Sequence, residues 1–168
     1  MRKGPFALAI AGVVIVAAAL VVASNGSSPR KHPAPSLPRD ALVGPATTIA
    51  SLRGRPAVVD FFASWCGPCT AEAPALEQFA RAVHGRVAVV AVAWSDSRQA
   101  ALSFVHRFHW TFPVLQDPNG TSGYAYGIQG LHTSFVLDAR GRIITRLIGP
   151  QTPSSLLRAL QAAGSRQT

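Results

Sequence analysis

The two cysteines of this 168-residue chain lie together in Trp65-Cys66-Gly67-Pro68-Cys69. At that spacing one thiol can attack a partner's sulfur while the other stands close enough to resolve the mixed disulfide. Two other uses of a Cys-x-x-Cys pair compete with this one. Tetrahedral zinc wants a second pair of ligands at similar spacing, and the sequence has none. A four-residue loop closes little chain entropy, so an inert staple would stabilise poorly. Thiol redox chemistry is the reading the surroundings favour.

Those surroundings are a strand followed by a helix. Ala57 to Ala63 is short, apolar and rich in β-branched and aromatic residues, as a buried strand should be. From Thr70 to Val83 the apolar residues Ala73, Leu76, Phe79, Ala80 and Val83 recur at helical spacing. Cys66 is therefore expected at a helix N-terminus, where free N–H groups and the macrodipole favour a thiolate. Asp60 sits on the apolar strand six residues before Cys66. Desolvation there disfavours a charged carboxylate, which suits a general base near neutrality.

The rest of the chain alternates strands and helices. Strands are expected at Val87–Ala93, Phe112–Gln116, Ser134–Leu137 and Arg142–Ile148, the last two joined by the turn-forming Asp138-Ala139-Arg140-Gly141. Asp96 or Ser97 should cap a helix ending near His109, with Gln99 in capping-box position after Asp96. A short helix is expected at Thr121–Tyr126, and Pro153 should open a last one reaching about Ala163. This order implies a mixed sheet with helices on both faces.

The first forty residues read differently. Basic Arg2 and Lys3 precede an uninterrupted apolar stretch, Phe6 to Ala23. As a helix it would be about 27 Å long, close to the hydrocarbon thickness of a bilayer. Residues 1–23 are thus expected to be a signal anchor, or a signal peptide cleaved near Val21-Val22-Ala23. The basic N-terminal flank would leave the domain on the extracytoplasmic side of the cell membrane, or secreted or periplasmic after cleavage. Residues 24–40, rich in Pro and Ser, are expected to be a linker, and 41–168 the domain. The net charge is +9, but from Ala41 onward 11 Arg face 6 acidic residues without a basic stripe, which argues against nucleic acid.

The domain resembles the thioredoxin fold, in its membrane-tethered TlpA/ResA-like branch of thiol–disulfide oxidoreductases. The resemblance rests on Leu52-Arg53-Gly54-Arg55-Pro56, on Val59 through Cys69, and on Glu72-Ala73-Pro74. Phe112-Pro113-Val114-Leu115 and Tyr126-Gly127-Ile128 leading into Phe135-Val136-Leu137-Asp138 also match. The segment from Val87 to Gly120 corresponds to the central insertion of that branch. By this resemblance the fold is α/β, Cys66 attacks, Cys69 resolves, Asp60 handles the resolving thiol's proton and Glu72 tunes the thiols, unless Glu72 is only a solvated helix-face acid. Trp65, Gly67, Pro68, Leu131 and His132 would meet substrate. Partners would be protein thiols and disulfides and a membrane electron donor or acceptor, with no cofactor. Trp94 and Trp110 are expected in the core or its rim, and His106 and His109 in solvent.

One departure stands out. Where the family carries a cis-proline after Gly-x, this chain reads Gly130-Leu131-His132-Thr133. A non-proline cis bond costs about 2.5–4 kcal/mol, so a trans or strained bond before His132 is expected. An imidazole there could join Cys66 and Cys69 in a soft ligand set for copper, resembling the Sco-type copper chaperones. Otherwise His132 would be a rim residue beside the disulfide. A peroxiredoxin-like peroxidase is disfavoured because the Pro and Thr that place its cysteine are lacking before Cys66.

Overall fold

A computed structural model describes residues 32–164. Seven strands and four helices follow one another as β1 (His32–Pro33), β2 (Ala41–Val43), β3 (Ala57–Phe62), α1 (Gly67–Ala82), β4 (Ala88–Trp94), α2 (Arg98–Arg107), β5 (Val114–Asp117), α3 (Thr121–Ala125), β6 (Thr133–Leu137), β7 (Arg142–Ile148) and α4 (Pro153–Gly164). They form one mixed sheet in the order β1-β7-β6-β3-β4-β5-β2. The β3–β4 and β4–β5 pairs are parallel, and every other pair is antiparallel. This is the expected α/β thioredoxin fold.

Central strand β3 is buried along its whole length. Its alternation decides what meets the catalytic helix. Val58 and Phe62 enter the core that holds Leu76, Phe79, Phe104, Trp110 and Leu156. Val59 and Phe61 enter the opposite core, with Tyr126, Phe135 and Leu137. Asp60 shares its parity with Val58 and Phe62, so it points to the side occupied by α1 and the cysteines.

The fold begins before residue 41. Residues 32–40 belong to the fold: His32 and Pro33 pair with Ile143 and Arg142, and the Ala34 N–H donates to the Gly141 carbonyl. Leu37 is buried, and the Tyr126 hydroxyl donates to the Pro35 carbonyl at 2.9 Å. Proline composition argued for a spacer, but an edge strand tolerates Pro where its N–H would face solvent. Strand β2 was likewise unforeseen. The capping box at Asp96 does not form either; Ser97 is the cap of α2, accepting from the Ala100 N–H at 3.2 Å. The expected anchor and residues 24–31 of the expected linker lie outside the described residues. Among the described residues no helix is long and apolar enough to cross a membrane.

Charge is unevenly spread. Six of the seven acidic residues are buried, Asp40 being the exception, whereas the described arginines are exposed or half-exposed.

Candidate active site

Cys66 and Cys69 are joined in a disulfide at the start of α1, with Pro68 in its first turn. Cys66 is the cap of that helix, and its Sγ accepts from the Cys69 N–H at 3.1 Å. An N–H donor and the helix dipole both stabilise negative charge on that sulfur, which favours a Cys66 thiolate once the bond opens. Both cysteines are largely covered, at 5% and 2% exposure. Trp65, Gly67 and Pro68 lie exposed around them and Leu131 is half-buried, so four of the five expected docking residues can reach a partner.

The preceding loop is tied down by a residue singled out only as a possible helix cap. Asp96, buried where β4 gives way to α2, accepts from the Ser64 N–H at 2.6 Å and from the Ser64 hydroxyl at 3.0 Å. It also accepts from the Ser97 N–H, while the Trp65 indole N–H donates to the Ser95 carbonyl at 3.2 Å. The start of the central insertion therefore holds the residues leading into Cys66. Asp96→Ala would leave the Ser64 and Ser97 amides unsatisfied and is expected to destabilise by about 1–3 kcal/mol. A lower thermal midpoint, with faster alkylation of Cys66 in the reduced protein, is the measurement.

Behind the disulfide lies a buried cluster of charge. Asp60 is fully buried; its Oδ1 accepts from the Ser134 hydroxyl at 2.7 Å and lies 2.6 Å from His132 Nε2. Strand register explains the meeting, because Asp60 and Ser134 are partners across β3 and β6. His132 lies two residues before Ser134, on the same side of the pleat. Glu72, three residues after Cys69 and so on the same face of α1, brings its Oε2 to 3.3 Å from His132 Nδ1. The Gln151 backbone amide is its other polar neighbour.

Three expectations are corrected here. Glu72 is not a solvated acid; only 3% of it is exposed. His132 is not a rim residue that meets substrate, because Asp60 and Glu72 hold its ring inside. The Leu131–His132 bond is cis, in a loop tied by the Thr133 hydroxyl donating to the Gly130 carbonyl and by the Gly149 N–H donating to the His132 carbonyl. In this disulfide form Cys66 and Cys69 bond each other, and the two imidazole nitrogens of His132 face Asp60 and Glu72. Asp60, Glu72 and His132 do offer ligand atoms within 4.8 Å of one another. The imidazole, however, is wedged between the carboxylates, an arrangement that holds a proton better than it surrounds an ion.

Burial pushes the Glu72 carboxyl up to about 7, and the Asp60 charge pushes the same way; the His132 charge and the Gln151 backbone amide oppose it. For His132 burial pulls downward, but the charge and hydrogen bond of Asp60, with the charge of Glu72, outweigh it and raise the imidazole to about 9. His132 is therefore an imidazolium at neutral pH. His106 and His109 are exposed as expected, and Trp110 is buried while Trp94 is half-buried.

The match with known proteins covers this whole arrangement: residues 29–160 fit the Redoxin family. The chain belongs to the Redoxin family. It is 35% identical over 120 residues to the thiol:disulfide interchange protein CycY of Rhizobium leguminosarum bv. viciae, covering 71% of this chain and 63% of that one. It is 33% identical over 149 residues to the thiol:disulfide interchange protein DsbE of Allochromatium vinosum, covering 83% and 81%. Among solved structures it resembles a putative DsbE from Chlorobium tepidum, with a TM-score of 0.72, 28% identity, and coverage of 79% and 96%. A secreted disulfide oxidoreductase of Mycobacterium tuberculosis gives a TM-score of 0.67 at 29% identity, covering 75% and 95%. This redoxin thus falls among the thioredoxin-like thiol–disulfide oxidoreductases of the TlpA/ResA/DsbE type, as its active-site stretch led us to expect.

Proposed function

We propose that the chain exchanges two electrons with protein thiols and disulfides on the extracytoplasmic side of a membrane, through Cys66 and Cys69. The reading rests above all on one observation, the Cys66–Cys69 disulfide at the head of α1 with the Cys69 N–H aimed at Cys66 Sγ. Starting from the reduced pair, the Cys66 thiolate attacks a substrate disulfide; that S–S bond breaks, one substrate thiolate leaves, and a mixed disulfide forms. Cys69 then loses its proton and attacks Cys66 Sγ. The mixed bond breaks, the second substrate thiolate leaves, and the Cys66–Cys69 bond is restored. Run backwards, the same steps oxidise a substrate dithiol. Exposed Trp65, Gly67 and Pro68, with half-buried Leu131, would dock the partner.

Extracytoplasmic placement is supported by the apolar stretch Phe6–Ala23 behind Arg2 and Lys3, and by the secreted relative of known structure. A tethered exchanger of this kind would draw electrons from, or pass them to, a membrane partner. Its substrates would be apocytochrome c, copper-site proteins or other exported proteins, and no organic or metal cofactor enters the exchange.

A redox titration of the protein, followed by trapping with Cys69→Ser, tests the proposal. A reversible two-electron midpoint within roughly −270 to −120 mV is expected, with a mixed disulfide through Cys66 accumulating in the variant. Sulfurs that stay joined under dithiothreitol in the native protein would overturn it.

A further inference from the structure

Nothing in the exchange just described requires a histidine, yet one is sealed between the two carboxylates behind the disulfide. We propose that His132 is a positioning residue for proton transfer: its imidazolium neutralises Asp60 and thereby leaves Glu72 as the group that accepts the Cys69 proton. The inference rests on the thiol–disulfide exchange proposed above and assigns the proton that this exchange must move.

Three observations carry it. First, the imidazole is bracketed, with Nε2 2.6 Å from Asp60 Oδ1 and Nδ1 3.3 Å from Glu72 Oε2. The charged groups facing it are Asp60 from β3 and Glu72 from α1; β6 adds the Ser134 hydroxyl, and the end of β7 adds only the Gly149 amide, which binds the His132 carbonyl. Second, Asp60 Oδ1 is committed to both His132 and Ser134, which leaves that carboxylate one open oxygen, Oδ2, whereas Glu72 is held only by His132 Nδ1 at 3.3 Å from Oε2 and by the Gln151 backbone amide. The carboxylate held more loosely is where a proton can land. Third, Glu72 lies one turn beyond Cys69 on the buried face of α1, where side chains three apart are neighbours.

In the resolving step the Cys69 S–H bond breaks and its proton passes to the Glu72 carboxylate. The Cys69 sulfur bonds Cys66 Sγ, and the substrate leaves as a thiolate with the electron pair of the broken mixed disulfide. In reverse, Glu72 returns the proton to Cys69. Without the imidazolium, ionised Asp60 would face Glu72 directly, and two buried carboxylates that close cannot both ionise. Glu72 would then stay protonated at neutral pH and could accept nothing.

The test uses the full chain with labelled histidine and glutamate, titrated by NMR from pH 5 to 10 in the oxidised state. His132 should hold both ring protons through pH 8, and Glu72 should titrate near 7. In His132→Gln the Glu72 midpoint should rise by at least one pH unit. Resolution of a mixed disulfide should then slow at least about fivefold at pH 7 and recover at alkaline pH, since a midpoint moved from about 7 to about 8 cuts the ionised acceptor from about one half to about one tenth. Glu72→Gln should stay slow at every pH. His132→Asn, read the same way, covers the case in which His132→Gln does not fold. A neutral His132 at pH 7, or a Glu72 midpoint unmoved in both histidine variants, would overturn the proposal. Failure of Cys69→Ser to form any mixed disulfide would instead strike the exchange reading, leaving the two titrations to decide the role of His132.

Discussion

Cys66→Ser is expected to reduce insulin no faster than buffer, and the Cys66→Ser/Cys69→Ser double variant should fall to the same background. The reason is that the thiolate is the nucleophile, and a serine hydroxyl at the same helix cap has neither the acidity nor the soft sulfur that attacks a disulfide. Groups that act as one unit lose their effects together rather than additively. Cys69→Ser should behave differently. It keeps the attacking sulfur and the Trp65–Pro68 surface but cannot resolve, so it should turn over no better than Cys66→Ser while accumulating covalent adducts. Non-reducing gels and intact-mass measurement separate the two variants. Equal trapping by both would mean that Cys66 holds no privileged position, contrary to its place as the cap that accepts the Cys69 N–H.

How much of this could be read before the fold was known follows from what each pattern encodes. The disulfide and its helix were legible because Cys-x-x-Cys and a 3.6-residue period are local signals. Asp60 was legible as well, since a charged residue inside an apolar strand is conspicuous. The partnership of Asp60 with Ser134 was not, because it depends on which strand lies beside β3, and the two residues are 74 apart along the chain. Glu72 and His132 were legible only singly, Glu72 as a thiol-tuning or a solvated acid and His132 as a substrate-facing, rim or copper-binding residue. Each becomes a buried charge only through the other, and an isolated carboxylate or imidazole would rarely be sealed away. Asp96 gave the signal of a helix cap, and its stronger role in holding Ser64 needed the crossing of β4 beside the active-site loop. Proline in residues 32–40 masked an edge strand for the same reason.

Net charge was the least informative number. Read from the sequence, the arginines after Ala41 look scattered and partly balanced by acids. In the fold the acids turn inward: Glu77 accepts from the Thr111 N–H and hydroxyl and pairs with Arg81, and Asp138 serves the turn before β7 and Arg142. The solvent-facing side is consequently more cationic than the net charge implies, which favours approach to anionic surfaces at low ionic strength.

The same inward carboxylates make the oxidised protein more stable in mild acid than in alkali. His132 is raised from 6.5 to about 9, so the stability it contributes is complete below about 6.5 and is lost as pH rises through 9. Glu72 is raised from 4.5 to about 7; folding favours its protonated form, so its contribution is lost between those values. Both therefore act in one direction from about pH 5 to 9.5. Asp138 opposes only in stronger acid: burial resists its ionisation, but the amides of Arg142 and Arg140 and the Arg142 guanidinium hold its carboxyl below the usual range. Its contribution is present above its unfolded value of 3.8 and disappears as pH falls below that. Each pKa unit is about 1.4 kcal/mol, so the loss from pH 5 to 9.5 should reach several kcal/mol and lower the thermal midpoint by on the order of ten degrees. Thermal melts of the oxidised protein across that range give the curve. In His132→Gln the imidazolium's loss is gone and the Glu72 loss extends up to its raised midpoint, so the fall above that midpoint should flatten. An equally steep fall in the variant would place the alkaline loss elsewhere than in the Asp60–His132–Glu72 cluster.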